Sequence, residues 1–185
     1  MRRQRGDDAA AVRDVLTAAF ADTGQVAGLA EALRARTDRQ GSLVAVEQAV
    51  DAGDDEGVDR VVGAVHLSIS WVDAPTRLVE VLTLSPLAVA PAYQRRGVGA
   101  ALAGAAVAAA GELQAPLVIL EGDPRYYGRL GWRPASGLGF TRPSVRIPDA
   151  GFQVFPLASY DPATMSGALV YNDTFWSLDF VGLRN

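Results

Sequence analysis

The chain has 185 residues, 49% of them hydrophobic and 21% charged, which fits one globular domain over residues 1–185 and argues against extended disorder. It contains no cysteine, so disulfides, zinc-thiolate sites and thiol nucleophiles are excluded and any catalyst must use oxygen or nitrogen groups. A formal charge of −4 argues against nucleic acid as a partner, because phosphate-dominated binding needs a basic face. No apolar stretch is long enough for a membrane span. Residues 1–5 are basic, but Asp7 and Asp8 stand where a signal peptide would have its apolar core, so the expected location is cytoplasmic.

Asp7 or Asp8 can cap a first helix whose apolar positions Val12, Val15, Leu16 and Ala19 follow helical spacing. A second helix follows Gly24, with Val26, Leu29, Ala30 and Leu33 on one face, until Thr37 and Asp38 break the pattern. Residues 43–47 and 61–72 are rich in β-branched side chains and read as antiparallel strands joined by the acidic segment 51–59. In the second of them Val65, Leu67, Ile69 and Trp71 alternate with Ala64, His66, Ser68 and Ser70, placing His66 on the more polar side.

A third strand runs over 78–89, and pairing should fail at Pro86, which cannot donate a ladder hydrogen bond. An alanine-rich helix over 97–110, stopped by Gly111, is small enough in cross-section to lie close on a sheet, and the apolar run 117–120 suits a strand covered on both faces. Strand, helix and strand form a βαβ crossover. A short helix then has Asp123 as its cap, Pro124 in its first turn and Gly131 as a left-handed stop. Closing strands include residues 152–158, and an aromatic tail carries Tyr171, Phe175, Trp176 and Phe180, which can either complete the core or form an apolar surface for a homodimer.

The segment between the third strand and the alanine-rich helix carries the chemistry. Gly97 and Gly99 permit close backbone approach, the first helical turn offers amides without intrahelical acceptors, and Arg95 and Arg96 add positive charge with no carboxylate from residue 91 to 111. Such a turn binds an anion, although the glycines alone would serve equally in a ligand-free turn. Leu102 stands where a Rossmann fingerprint needs glycine or alanine, and no Walker lysine is present.

Gln94-Arg95-Arg96-Gly97-Val98-Gly99 resembles the Gln/Arg-x-x-Gly-x-Gly/Ala signature of the GNAT superfamily of acyl-CoA-dependent N-acetyltransferases. Residues 122–132, with Tyr127 four positions before Gly131-Trp132, resemble that superfamily's second cofactor segment, with tryptophan in place of the usual phenylalanine. The resemblance covers nearly the whole chain. The residues from 166 to 175 are similar to a bacterial subgroup of predicted acetyltransferases, while the first strand is shorter and less apolar than usual for the superfamily.

The resemblance implies an α/β (α+β) fold: a mixed, mostly antiparallel sheet with a V-shaped splay between strands 4 and 5 and helices on both faces. It implies acetyl-CoA as cosubstrate and an amine, of a small molecule or a protein, as acceptor, without a metal or covalent enzyme intermediate. Pyrophosphate would lie on Gln94, Arg95, Arg96, Gly97, Val98, Gly99 and Ala100, and the pantetheine arm along Leu87, Ala88 and Val89. Tyr127 would be the acid beside the sulfur, with Tyr126 packing against the cofactor or the core. Glu80, upstream of Pro86 on the same strand, is the leading candidate for the base, ahead of Asp123, His66 and the carboxylate of Asn185. A non-catalytic acyl-CoA sensor is the alternative, and a toxin acting on transfer RNA is disfavoured by the acidic charge.

Overall fold

The computed structural model of the protein describes residues 1–36, 40–48 and 59–182. The elements in chain order are β1 (Arg2–Arg3), α1 (Ala9–Phe20), α2 (Gln25–Arg34), β2 (Gln40–Gln48), β3 (Asp59–Ala74), β4 (Arg77–Val89), α3 (Val98–Glu112), β5 (Leu117–Glu121), α4 (Pro124–Tyr127), β6 (Arg133–Pro134), β7 (Phe140–Thr141), β8 (Phe152–Pro156), β9 (Gly167–Tyr171) and α5 (Asp173–Ser177). The expected helix break at Thr37 and Asp38, the acidic segment 51–58 and the carboxylate of Asn185 lie outside the described residues.

One mixed sheet runs β1-β2-β3-β4-β5-β8-β6, with the β4–β5 pair parallel, as a strand-helix-strand crossover requires. Alternation along the strands sends Val65, Leu67, Leu82, Leu84, Val118 and Leu120 to the face covered by α3. Ala64, Ala88, Val81 and Ile119 belong to the clusters that hold α1 and α2 on the other face. Helix α3 packs closely because Ala103, Ala106 and Ala110 present almost no side chain to hold it away.

Two local expectations change. Asp8 precedes α1 but does not cap it: its carboxylate accepts from the Arg2 guanidinium at 2.6 and 2.8 Å and from the Arg5 amide at 2.6 Å, clamping the two-residue β1 to the helix start. The Arg2 contact is also the main reason the Asp8 carboxyl lies below its ordinary range. Helix α3 runs through Gly111 to Glu112, and Gln114, at φ 57°, takes the left-handed position after it.

The tail is mostly core. Strand β9 pairs antiparallel with residues 70–73 of β3, continuing on the edge that β2 covers only as far as Ser68. Tyr171 and Phe175 are buried, so the apolar surface available to a second copy reduces to side chains such as Trp176 and Leu178.

His66 shows why an alternating pattern does not by itself mark a wet face. Helices α1 and α2 cover that side of the sheet, and His66 is buried with Nδ1 2.7 Å from the Ser42 hydroxyl. Burial, aided by the charge of Arg34, lowers its pKa from 6.5 to about 4. The unfolded chain therefore binds a proton between those values that the folded chain refuses, and stability falls as pH drops from 6.5 to about 4. The loss attributable to His66 is about 3 kcal/mol. Thermal melts of the parent and of His66→Leu should diverge in pH dependence across that window, and parallel curves would contradict the assignment.

Candidate active site

Strands β4 and β5 pair only at Leu82–Val118 and Thr83–Ile119. Beyond that point β4 continues to Val89 paired with β3, while β5 continues to Glu121 paired with β8, so the two part and expose facing backbone edges. The cause is local. Ser85 and Pro86 together oppose the single residue His66, a two-against-one bulge that bends β4 where proline also lacks the amide needed to pair. Leu87, Ala88 and Val89 form the diverging arm.

At the end of this arm the chain turns through Pro91–Tyr93 into α3. The Gln94 side chain donates to the Val89 carbonyl at 3.0 Å, tying the turn to the strand. Arg95 (φ 60°) and Gly97 (φ 83°) are both left-handed, a conformation glycine adopts at little cost. No side chain caps α3, and nothing lies within 4 Å of the place a Gly97 Cβ would occupy. The amides of Val98, Gly99 and Ala100 have no partner within the helix, and the helix dipole adds about half a positive charge there. Arg95 and Arg96 are exposed, with the Arg96 guanidinium 5.5 Å from the Tyr93 ring centre. Uncapped amides, open space and two cations make a cradle that fits a diphosphate.

The second segment closes on the first. Asp123 accepts from the Arg125 amide at 2.8 Å, and Gly131 (φ 91°) ends the α4 region, as its local residues dictate. The Tyr126 hydroxyl lies 2.6 Å from where a Gly99 Cβ would sit, so only glycine lets tyrosine and helix start approach this closely. Tyr127 stacks edge-on between Tyr126 (4.9 Å) and Trp132 (5.9 Å), with its ring against the backbone of Gly122, where a Cβ would lie 2.8 Å from Tyr127 Cδ2. Burial, reinforced by Tyr126, pushes the Tyr127 phenol up to about 12, which keeps it protonated.

The structure does not bring Glu80 to this place. It pairs with Trp71 near the start of β4 and lines a shallow depression with Gln114 and Pro116, six residues and about 20 Å of strand from Pro86. Glu80 thus lies on the closed side of the Leu82–Val118 pair, away from the arm of Leu87 to Val89. Asp123 is occupied as a cap and His66 is shut under α1 and α2. The carboxylate that does stand at the divergence is Glu121, the last residue of β5, with Oε1 accepting from the Tyr171 hydroxyl at 2.7 Å. Reading the apolar run as 117–120 stopped one residue short of it; an acidic residue terminating a buried strand was the available signal. Among the described residues no three acidic or histidine side chains gather as a metal site, and no helix is long and apolar enough to cross a membrane.

Comparison with known proteins agrees with this geometry. The acetyltransferase (GNAT) domain family matches residues 1–135. The fold is similar to a GNAT family N-acetyltransferase, YhbS, of Escherichia coli, solved with CoA: TM-score 0.79, 26% identity, over 94% of this chain and 89% of that one. It is also similar to a GNAT family acetyltransferase of Brucella melitensis, solved with acetyl-CoA: TM-score 0.69, 26% identity, over 94% of this chain and 96% of that one. Among curated proteins none matches significantly. With a matched domain that takes in the bulged β4, the uncapped α3 and the Tyr126–Tyr127 segment, the chain belongs to the GNAT acetyltransferase family.

Proposed function

We propose that this protein is an acetyl-CoA-dependent N-acetyltransferase acting in the cytoplasm as a single domain, and that it moves the acetyl group directly to an amine. The observation that carries the reading is the uncapped, open N-terminus of α3 at the end of a strand arm that has parted from its neighbour. The E. coli and Brucella relatives, solved with CoA and acetyl-CoA, support it. Amides of Val98, Gly99 and Ala100, with the turn Gln94, Arg95, Arg96 and Gly97, would hold the diphosphate. The freed edge of Leu87, Ala88 and Val89 offers amides and carbonyls to the pantetheine amides, and Tyr126 closes the cradle over Gly99.

Acetyl-CoA supplies the acyl group as a thioester. The acceptor nitrogen must be neutral at the moment of attack, so an acceptor that binds as its ammonium first releases one proton to solvent; the new C–N bond then replaces the C–S bond, the amine gives up a further proton and the sulfur gains one. Tyr127 is the proton donor on the sulfur side. Burial, reinforced by Tyr126, keeps its phenol protonated and so available to the departing sulfur.

Calorimetry with CoA should give saturable binding, and acetyl-CoA with a panel of amines should give time-dependent thiol release. Absence of binding at millimolar CoA would refute the assignment. Tight binding without turnover on any amine would instead favour an acyl-CoA sensor.

A further inference from the structure

Side chains alternate along β5, so its free end presents different chemistry on its two faces. Leu120 joins the cluster beneath α3 in which Tyr127 packs, whereas Glu121 follows Leu117 and Ile119 toward the face of α2. A cleft of about 440 Å3 opens on that side, lined by Glu121 and Gly122 together with the apolar side chains of Phe20, Ile147, Pro148 and Phe180. Gly122 is also the residue on which the Tyr127 ring rests, so the end of β5 borders both the cleft and that ring.

The charges are arranged unequally. Asp179, on the same cleft, pairs with the Arg146 guanidinium at 3.3 Å. Glu121 is instead held by neutral donors, the Tyr171 hydroxyl at 2.7 Å and the Gly182 amide. Neutral donors orient a carboxylate without cancelling its charge, and Arg146 acts on it only as a more distant charge. Although Glu121 is exposed to the cleft, the surrounding walls withdraw water and raise its carboxyl above the ordinary range. An oriented anion in a mostly apolar cavity suits a cation attached to an apolar body.

Resting on the acetyltransferase reading, we propose that Glu121 is the acceptor-binding residue, taking the acceptor's ammonium group, and that the acceptor is a primary amine carried on an apolar, ring-sized body seated between Phe20, Pro148 and Phe180. A small hydrophilic amine would satisfy the carboxylate but leave the walls wet. Burying a phenyl ring there is worth about a 30- to 100-fold gain in kcat/KM over the same amine without the ring.

The test compares 2-phenylethylamine, ethylamine and 1,4-diaminobutane as acceptors with acetyl-CoA and the full chain. Phenylethylamine is expected to lead by the factor above. Glu121→Gln should raise its KM by about 10- to 100-fold while leaving the KM of acetyl-CoA unchanged. Glu121→Asp should recover part of the loss, and Tyr171→Phe, which removes only the orienting hydroxyl, should give a smaller rise. Equal use of the three amines, or an unchanged amine KM in Glu121→Gln, overturns the proposal. If calorimetry shows acetyl-CoA bound but no amine in the panel is acetylated, this inference falls and the cosubstrate site stands; if acetyl-CoA does not bind, both fall.

Discussion

Replacing Tyr127 with phenylalanine is expected to lower kcat for acetyl transfer by about 100-fold or more, with little change in acetyl-CoA affinity or melting temperature. The expectation follows from how the ring and the hydroxyl divide their work. The ring is held by Tyr126, Trp132 and the backbone of Gly122, contacts that phenylalanine would keep. The hydroxyl makes no hydrogen bond to another described residue, so its removal breaks no internal network. On the proposed mechanism what is lost is the proton offered to the departing sulfur, an interaction made only as the C–S bond breaks, so the deficit should fall on kcat. Steady-state thiol release and calorimetry on the same preparation separate the two quantities. A variant with nearly parental kcat would remove Tyr127 from the mechanism while leaving the cradle untouched.

Gly167→Ala should destabilise the fold by about 3 kcal/mol, which lowers Tm by roughly 6–12 °C in a chain of this size. Gly167 begins β9 at φ 149°, a region that residues with a Cβ rarely enter. The added methyl would overlap the Asp73 carbonyl oxygen and lie 2.9 Å from the Asp73 carbonyl carbon, and both atoms belong to the backbone of the central strand β3. Backbone cannot step aside as a side-chain tip can, so β9 must detach or shift. Because β9 carries Tyr171, such a shift would also loosen the hydroxyl that orients Glu121. Gly104→Ala is the matched control: it is exposed within α3 with nothing within 4 Å of its Cβ position, and should gain up to about 1 kcal/mol from helix propensity. Differential scanning fluorimetry of the two variants reads the contrast directly. Equal melting temperatures would mean that β9 is not seated against β3 as described.

The elements legible in advance were those written in short, self-consistent stretches. The cap at Asp123, the left-handed stop at Gly131 and the failure of pairing at Pro86 each depend on residues within a few positions of one another. Asp8 misled because a cap and an ion pair use the same carboxylate oxygens, and Arg2, brought alongside by β1, competed for them. His66 does lie on the more polar side of β3, but period-two alternation only separates the faces of a strand; it does not say whether helices cover both.

By itself, then, the amino-acid order determined the anion cradle and the break in the sheet, because left-handed turns, missing proline amides and uncapped helix starts are properties of neighbouring peptide units. Only the tertiary structure decided which carboxylate reaches the divergence. Glu80 and Glu121 are both acidic residues on adjacent parallel strands, and choosing between them requires the register Leu82–Val118 that sends one to the closed end and the other to the open end. The partner that orients Glu121 is Tyr171, 50 positions along the chain, on a strand whose place beside β3 is set by long-range pairing. Contacts of that range are decided by competition among whole strands for the same edge, and no local pattern of residues records the winner.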